Sequence, residues 1–123
     1  MLTVYAYDQC STCRAALAWL KQRGISCTVR PIRTQPPTPA ELARMLLAQG
    51  GELRRLFNTS GKDYRALGLG AQLASLSQAE ALRLLGGNGN LVKRPFVVGP
   101  GVGLVGFNAA TWEAAFAGRG GVS

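Results

Sequence analysis

The sequence predicts an α/β fold with a mixed sheet, in which a βαβ unit, a helical insert and a ββα unit follow one another. Short segments rich in β-branched and aromatic residues stand near both ends of the chain, and helical patterns lie between them. Clusters of Pro and Gly separate these segments. The 123 residues suffice for one domain, 1–123, with the helical insert at about 36–90.

The βαβ unit occupies the first quarter of the chain. Residues 2–7 form a short β-branched and aromatic run, which predicts a strand. Residues 12–23 carry apolar side chains along one side, with Trp19 near its edge, and Gly24 follows as a stop signal. Residues 25–32 alternate enough to predict the second strand.

The helical insert contains capping signals that predict where its helices begin. Thr38 starts a capping box with Pro at the first helical position, which predicts a helix over 39–49. Two shorter helices are predicted at 52–57 and 63–67. A second capping box predicts a helix over 78–85, which a Gly pair is expected to close.

The ββα unit completes the predicted fold. Residues 95–99 and 102–107 are two apolar runs joined by a Gly-Pro-Gly turn, which predicts a hairpin. Residues 109–117 carry two aromatic side chains and predict a closing helix.

Composition and charge exclude several classes of function. Histidine is absent, so a Ser-His-Asp triad, a Cys-His pair and a His-ligated metal are impossible. Fourteen basic against six acidic residues give a net charge of +8, but the basic residues are scattered and predict no dedicated nucleic-acid site. Three cysteines do not indicate a secreted disulfide framework, and no apolar run approaches a membrane span. We therefore expect a cytoplasmic monomer without membrane contact.

A C-x-x-C motif is the strongest chemical signal. Cys10 and Cys13 lie between a predicted strand and a predicted helix, which is typical of a redox motif. Free N–H groups at a helix N-terminus favour a thiolate, and a second thiol one turn later can resolve a mixed disulfide. Ser11, Thr12 and Arg14 are candidate anion-binding residues beside it, and Arg14 is expected to stabilise the thiolate. Two inert cysteines or half of a zinc site are the alternatives.

Two further features stand outside this motif. Cys27 lies in the second predicted strand, where we expect a buried structural thiol. Pro95 directly precedes an apolar strand, a position that a cis peptide bond would suit. Its neighbour Arg94 could bind an anion or a partner's carboxylate, with a solvated surface position as the alternative.

Several short motifs in order resemble the arsenate reductase family of thioredoxin-like proteins, over about residues 2–117. That family includes Spx-type regulators and glutathione-dependent thiol reductases. The resemblance implies a thioredoxin fold with a helical insert, a cis Pro95, and Cys10 as the nucleophile. It also implies that Arg94 contacts an oxyanion. The matching motifs are Cys10-x-x-Cys13-Arg14, Gly24-Ile25, Asn58-Thr59-Ser60-Gly61-Lys62, Lys93-Arg94-Pro95 and Val105-Gly106-Phe107.

Departures from the family pattern narrow the expected activity. Arsenate reductases that resemble this chain usually have serine where Cys13 stands, and two further arginines where Asn58 and Phe107 stand. Their upstream histidine is replaced by Ala6. We therefore expect a thiol-disulfide oxidoreductase without a bound cofactor, with glutathione as co-substrate and glutaredoxin or thioredoxin as possible partners. Arg14 and Arg94 are both expected to stabilise the Cys10 thiolate and to orient an anionic partner such as glutathione. An Spx-type redox regulator that binds RNA polymerase and a true arsenate reductase are the alternatives.

Overall fold

A computed structural model describes residues 2–117 and contains a four-stranded mixed sheet. The strands are β1 (Leu2–Ala6), β2 (Cys27–Pro31), β3 (Phe96–Gly99) and β4 (Val102–Val105). Their order across the sheet is β2-β1-β3-β4, with β1 parallel to β2 and antiparallel to β3. The parallel pair brings the carboxyl ends of β1 and β2 to the same edge, where Ala6 lies opposite Pro31.

Helices α1 (Ser11–Gln22) and α6 (Ala109–Phe116) cover one face of the sheet. Between them and the strands lies an apolar cluster in which the rings of Trp19 and Trp112 meet edge to face at 5.6 Å. Trp19 is therefore a core residue, although the sequence placed it at the edge of the helix face. Cys13 belongs to the same cluster, which places the second thiol of the C-x-x-C motif in the core.

The opposite face is covered by the segment between β2 and β3. It contains α2 (Pro39–Ala48), α3 (Lys62–Ala66), α4 (Leu69–Gln72) and α5 (Gln78–Gly87). Short 3₁₀ helices at 53–56, 73–75 and 89–91 join them. Both predicted capping boxes are formed, since the side chains of Thr38 and Ser77 accept from the backbone N–H groups of Glu41 and Glu80.

The predicted thioredoxin-like α/β fold is confirmed, and the differences concern element ends. Helix α5 continues through Gly87 instead of stopping before the Gly pair, because the backbone first becomes extended at Asn88. The predicted helix at 52–57 is a 3₁₀ helix, and α4 was not predicted. Each of the four strands is shorter than predicted by at least one residue. No helix within residues 2–117 is long and apolar enough to cross a membrane.

Candidate active site

Cys10 is the N-cap residue of α1. Its backbone is extended, and its sulfur accepts a hydrogen bond from the backbone N–H of Cys13 at 3.3 Å. Its own N–H donates to the carbonyl oxygen of Tyr7 at 3.1 Å, which fixes the turn between β1 and the helix. A cysteine sulfur thus fills the place that a Ser or Asp oxygen commonly takes at a helix N-terminus.

The two cysteines of the motif differ in access to solvent. The side chain of Cys10 is half-buried, whereas Cys13 is fully buried in the cluster between α1, α6 and the sheet. Both are free thiols in this structure. A substrate sulfur can therefore approach Cys10, while Cys13 is reached only from within the protein.

The surroundings of these thiols shift their pKa values in opposite directions. Partial burial alone would raise the pKa of Cys10, but hydrogen bonds from the side chain and backbone of Cys13, together with the guanidinium of Arg94, lower it below its usual range. Burial raises the pKa of Cys13 to about 12, and the neighbouring Cys10 adds to that rise. Cys10 is thus the thiol that ionises first, which is the property required of a nucleophile.

Arg94 reaches the thiol from the segment that precedes β3. It interacts with Cys10 both as a hydrogen-bond partner and as a charge. Its guanidinium also lies over the ring of Tyr7, 5.1 Å from the centroid, which restricts its position. The bond between Arg94 and Pro95 is cis, as the family resemblance implied, and Pro95 is buried.

The remaining predicted site residues lie at the start of α1, and none of them interacts with the Cys10 thiol as Arg94 does. Ser11 and Thr12 are exposed in the first turn of the helix. Arg14 is exposed too, and its Nη1 donates to the carbonyl oxygen of Asp8 at 2.9 Å. The expectation that Arg14 stabilises the thiolate is therefore corrected: the cation that lowers the pKa of Cys10 is Arg94.

Sequence reasoning missed Tyr7, whose carbonyl oxygen accepts from the Cys10 N–H, and Arg33, which contacts Tyr7. The Nη1 of Arg33 donates to the hydroxyl of Tyr7 at 2.8 Å, and the guanidinium lies 4.7 Å from the ring centroid. The two residues follow the carboxyl ends of β1 and β2. A signal was available, since the carboxyl ends of parallel strands meet at one edge and commonly form binding sites.

The positions that depart from the arsenate reductase pattern have structural roles here. The ring of Phe107 packs edge to face against Trp112 at 4.9 Å, and Ala6 is buried under α1. Asn58 is half-buried, and its N–H donates to the carbonyl oxygen of Leu91. An apolar ring and an uncharged amide thus stand where the resemblance implied arginines.

Cys27 was expected to be buried, and the structure corrects this. It begins β2, which is an edge strand of the sheet, and it is half-buried. Burial still raises the pKa of its thiol. Within residues 2–117, no group of three His, Cys, Asp or Glu side chains is placed to share a metal ion.

The sheet order, the helix that begins at the C-x-x-C motif and the cis proline before β3 together define a thioredoxin-like protein. The profile of the ArsC family matches residues 5–115. The chain therefore belongs to the ArsC family.

Relatives carry several different names. The uncharacterized protein YusI of Bacillus subtilis is 39% identical over 112 residues, which cover 91% of this chain and 95% of that protein. An arsenate reductase of Rhizobium meliloti is 36% identical over 80% of this chain and 69% of its own length. The global transcriptional regulator Spx of Enterococcus faecalis is 31% identical over 88% of this chain and 80% of its own length.

Solved structures agree with the fold. A putative ArsC family related protein from Bacteroides fragilis superposes with a TM-score of 0.87 at 38% identity, over 93% of this chain and 96% of that chain. A possible arsenate reductase from Streptococcus mutans gives 0.86 at 41% identity, over 94% and 98%. The family is thus shared by proteins named as reductases and as regulators, so the activity must be argued from the site.

Proposed function

We propose that this protein is a cytoplasmic thiol-disulfide oxidoreductase that reduces disulfides at the expense of glutathione. The observation that carries the proposal is the division of labour between the two thiols. Cys10 is accessible and its pKa is lowered, while Cys13 is buried one helical turn away with its pKa raised. An attacking thiol and a resolving thiol need these two environments.

The first step is attack by the Cys10 thiolate on one sulfur of the substrate disulfide. A bond forms between Cys10 Sγ and that sulfur while the substrate S–S bond breaks. The electron pair of the broken bond leaves on the other sulfur as a thiolate. The backbone N–H of Cys13 and the guanidinium of Arg94 stabilise the Cys10 thiolate before the attack.

The second step is resolution by Cys13. Once Cys10 is bonded to the substrate sulfur it carries no negative charge, so its contribution to the raised pKa of Cys13 is lost. The thiolate released in the first step takes the proton of Cys13. Cys13 then attacks Cys10 Sγ, the bond between Sγ and the substrate sulfur breaks, and that sulfur leaves as the second substrate thiolate. The substrate disulfide has then gained two electrons, and the protein holds a Cys10–Cys13 disulfide.

Glutathione restores the reduced protein in the proposed cycle. One glutathione thiolate attacks the Cys10–Cys13 disulfide, and a second attacks the resulting mixed disulfide, so that oxidised glutathione leaves. Glutaredoxin or thioredoxin can supply the same two electrons in place of glutathione. The reducing cytoplasm, where such donors are kept reduced, is the proposed location.

Arsenate reduction and transcriptional regulation are the other candidate functions, each favoured by a relative of that name. Arsenate reduction is less well supported, because Asn58 and Phe107 supply no cations to an arsenate ion. An Spx-like role would use the same C-x-x-C pair as a redox switch for binding RNA polymerase.

The test is the reduction of a glutathione mixed disulfide, coupled to NADPH through glutathione reductase. Cys10→Ser should abolish turnover. Cys13→Ser should retain activity on glutathione mixed disulfides, which one thiol can reduce, and lose activity on protein disulfides. Cys27→Ser is the matched control, because it removes a thiol outside this pair and should leave both activities unchanged.

Three results would contradict the proposal. Full turnover by Cys10→Ser would show that the motif is not the reaction centre. Absence of reductase activity, together with capture of RNA polymerase only from oxidised extract, would assign the regulatory function. Arsenate turnover in the same coupled assay would assign arsenate reduction.

A further inference from the structure

A cavity of about 550 Å³ lies between the carboxyl ends of β1 and β2 and the start of α1. Its apolar lining includes Leu17, Val29 and Ile32. Cys10 does not line it, but Tyr7 and Asp8 do, and they immediately precede the turn into Cys10. The volume is in the range of sites for small molecules, roughly 300–1,000 Å³.

The cavity has more positively than negatively charged side chains. Arg14 and Arg33 contribute two guanidinium groups, and Asp8 contributes one carboxylate. All three side chains are exposed to solvent. Glutathione carries two carboxylates and one ammonium group, so its charges are the complement of those on the cavity. Arginine also suits carboxylates because two of its parallel N–H groups can bind both oxygens.

Arg33 is held in place before any ligand arrives. One of its N–H groups donates to the Tyr7 hydroxyl at 2.8 Å, and the Tyr7 hydroxyl in turn donates to Gln9 Oε1 at 3.2 Å. A guanidinium has five N–H donors, so this contact leaves most of them to bind an anion. The ring of Tyr7 lies under Arg33 and also under Arg94, which interacts with Cys10. Tyr7 therefore joins the cavity to the thiol.

We propose that this cavity is the binding site for the glutathione moiety of the substrate, with Arg33 and Arg14 as carboxylate-binding residues. The moiety lies along Leu17 and Val29, which are accessible to solvent, its ammonium group faces Asp8, and its sulfur reaches Cys10 past Tyr7. This assignment rests on the proposed reductase function and names its substrate class: disulfides that contain a carboxylate-bearing thiol peptide.

The binding test uses S-methylglutathione, which has no free thiol, titrated into ¹⁵N-labelled protein. Amide shifts should concentrate at Ile32 to Thr34 and at Asp8. Arg33→Ala should weaken binding about tenfold, the loss of one charge-assisted contact. Arg30→Ala is the matched control: it removes the same charge from an exposed residue of β2, three positions before Arg33, that does not line the cavity. It should change binding less than twofold.

A second measurement alters the ligand rather than the protein. Glutathione ethyl ester lacks one carboxylate, so its mixed disulfide with cysteamine should be turned over with a KM about tenfold higher than that of the acid. In Arg33→Ala the acid and the ester should become similar. This difference does not depend on how well a variant folds.

Each outcome separates this site from the reductase function. Amide shifts confined to other parts of the protein, equal effects of Arg33→Ala and Arg30→Ala, or equal KM values for acid and ester in the native protein would overturn the cavity assignment while reductase activity stands. Binding in the cavity without any turnover would uphold the site and overturn the proposed function.

Discussion

A substitution at Gly89 tests the packing against Ile32 and Arg33, which form one wall of the cavity. Gly89 is buried at the start of the 3₁₀ helix 89–91, directly against the backbone that follows β2. A methyl group there would collide with the carbonyl oxygen of Ile32, and would lie 2.8 Å from its carbonyl carbon and 3.0 Å from the Cα of Arg33. These are backbone atoms, so they cannot turn aside as a flexible side chain can.

We expect Gly89→Ala to lower the free energy of unfolding by about 2–3 kcal/mol, in the upper part of the range for an overpacked core. The Ile32 backbone cannot retreat freely, because its N–H donates to the carbonyl oxygen of Ala6 at 3.0 Å. For a chain of this size the loss should lower Tm by roughly 4 °C per kcal/mol, that is by about 8–12 °C. Urea unfolding followed by circular dichroism measures the change in the free energy of unfolding.

Gly87→Ala is the matched control for this substitution. Gly87 is the last residue of α5, is exposed, and has no atom within 4 Å of the position of an added Cβ. Alanine is favoured over glycine in helices by up to about 1 kcal/mol, so this variant should be as stable as the native protein or slightly more stable. If Gly89→Ala matched it in stability, the close approach of Gly89 to Ile32 would be refuted.

Three further predictions concern the packing that supports the site. Thr38→Ala removes the 3.2 Å bond from the Glu41 N–H and should destabilise the protein by about 1 kcal/mol in urea unfolding, and an unchanged midpoint would contradict it. Tyr5→Phe removes the 2.7 Å bond to Glu41 Oε1. Burial opposes ionisation of Glu41, but hydrogen bonds from Tyr5 and Thr38 outweigh it and lower its pKa, so the stability that they contribute is present at neutral pH and is lost as the pH falls through that lowered pKa. The cost of Tyr5→Phe should therefore be larger at pH 7 than in acid below that lowered pKa, where the carboxyl is protonated, and a cost independent of pH would contradict this reasoning. Trp112→Phe removes the 3.2 Å indole bond to the Gly106 carbonyl oxygen and should cost about 1–3 kcal/mol, measured by thermal unfolding.

The reacting thiols could be predicted because their geometry is local. Cys13 is three positions after Cys10, and one helical turn places its N–H on the sulfur of Cys10 at 3.3 Å. The preceding strand predicts that the motif lies at a helix N-terminus, and the absence of histidine means that no imidazole can activate the thiol. Nothing distant in the sequence is needed to recognise a thiol at a helix N-terminus.

The cations near the thiol could be predicted only in part, since Arg14 and Arg94 were both expected to stabilise it. Arg94 is 84 positions from Cys10, and it reaches the sulfur only because β3 lies antiparallel beside β1. Arg14 is four positions from Cys10 and is the nearest cation in the sequence, yet its side chain donates a hydrogen bond to the Asp8 carbonyl oxygen. The sequence offered both arginines as partners of the thiolate, and strand pairing decides that Arg94 is the one that lowers its pKa.

The end of α5 shows why the Gly pair predicted the wrong end for this helix. Glycine in a helix costs up to about 1 kcal/mol per residue, which predicts a stop, but packing can outweigh that cost. Here a Cβ on Gly86 would lie 3.7 Å from the Leu42 side chain, so α5 passes close to α2 at this point. The helix continues until Asn88, whose side chain then caps the next 3₁₀ helix.

Because the chain has no histidine to activate the thiol, arginine side chains have two different roles at this site. Arg94 acts on Cys10 itself, and the Tyr7 ring that holds Arg94 also holds Arg33 at the edge of the cavity. In a protein whose basic residues outnumber its acidic ones by 14 to 6, this arrangement makes the approach to Cys10 attractive to anions. A lowered thiol pKa would serve any disulfide, but the cations of the cavity favour those that carry carboxylates. Selectivity for the proposed substrate class therefore resides at the carboxyl ends of β1 and β2, while reactivity resides at the start of α1.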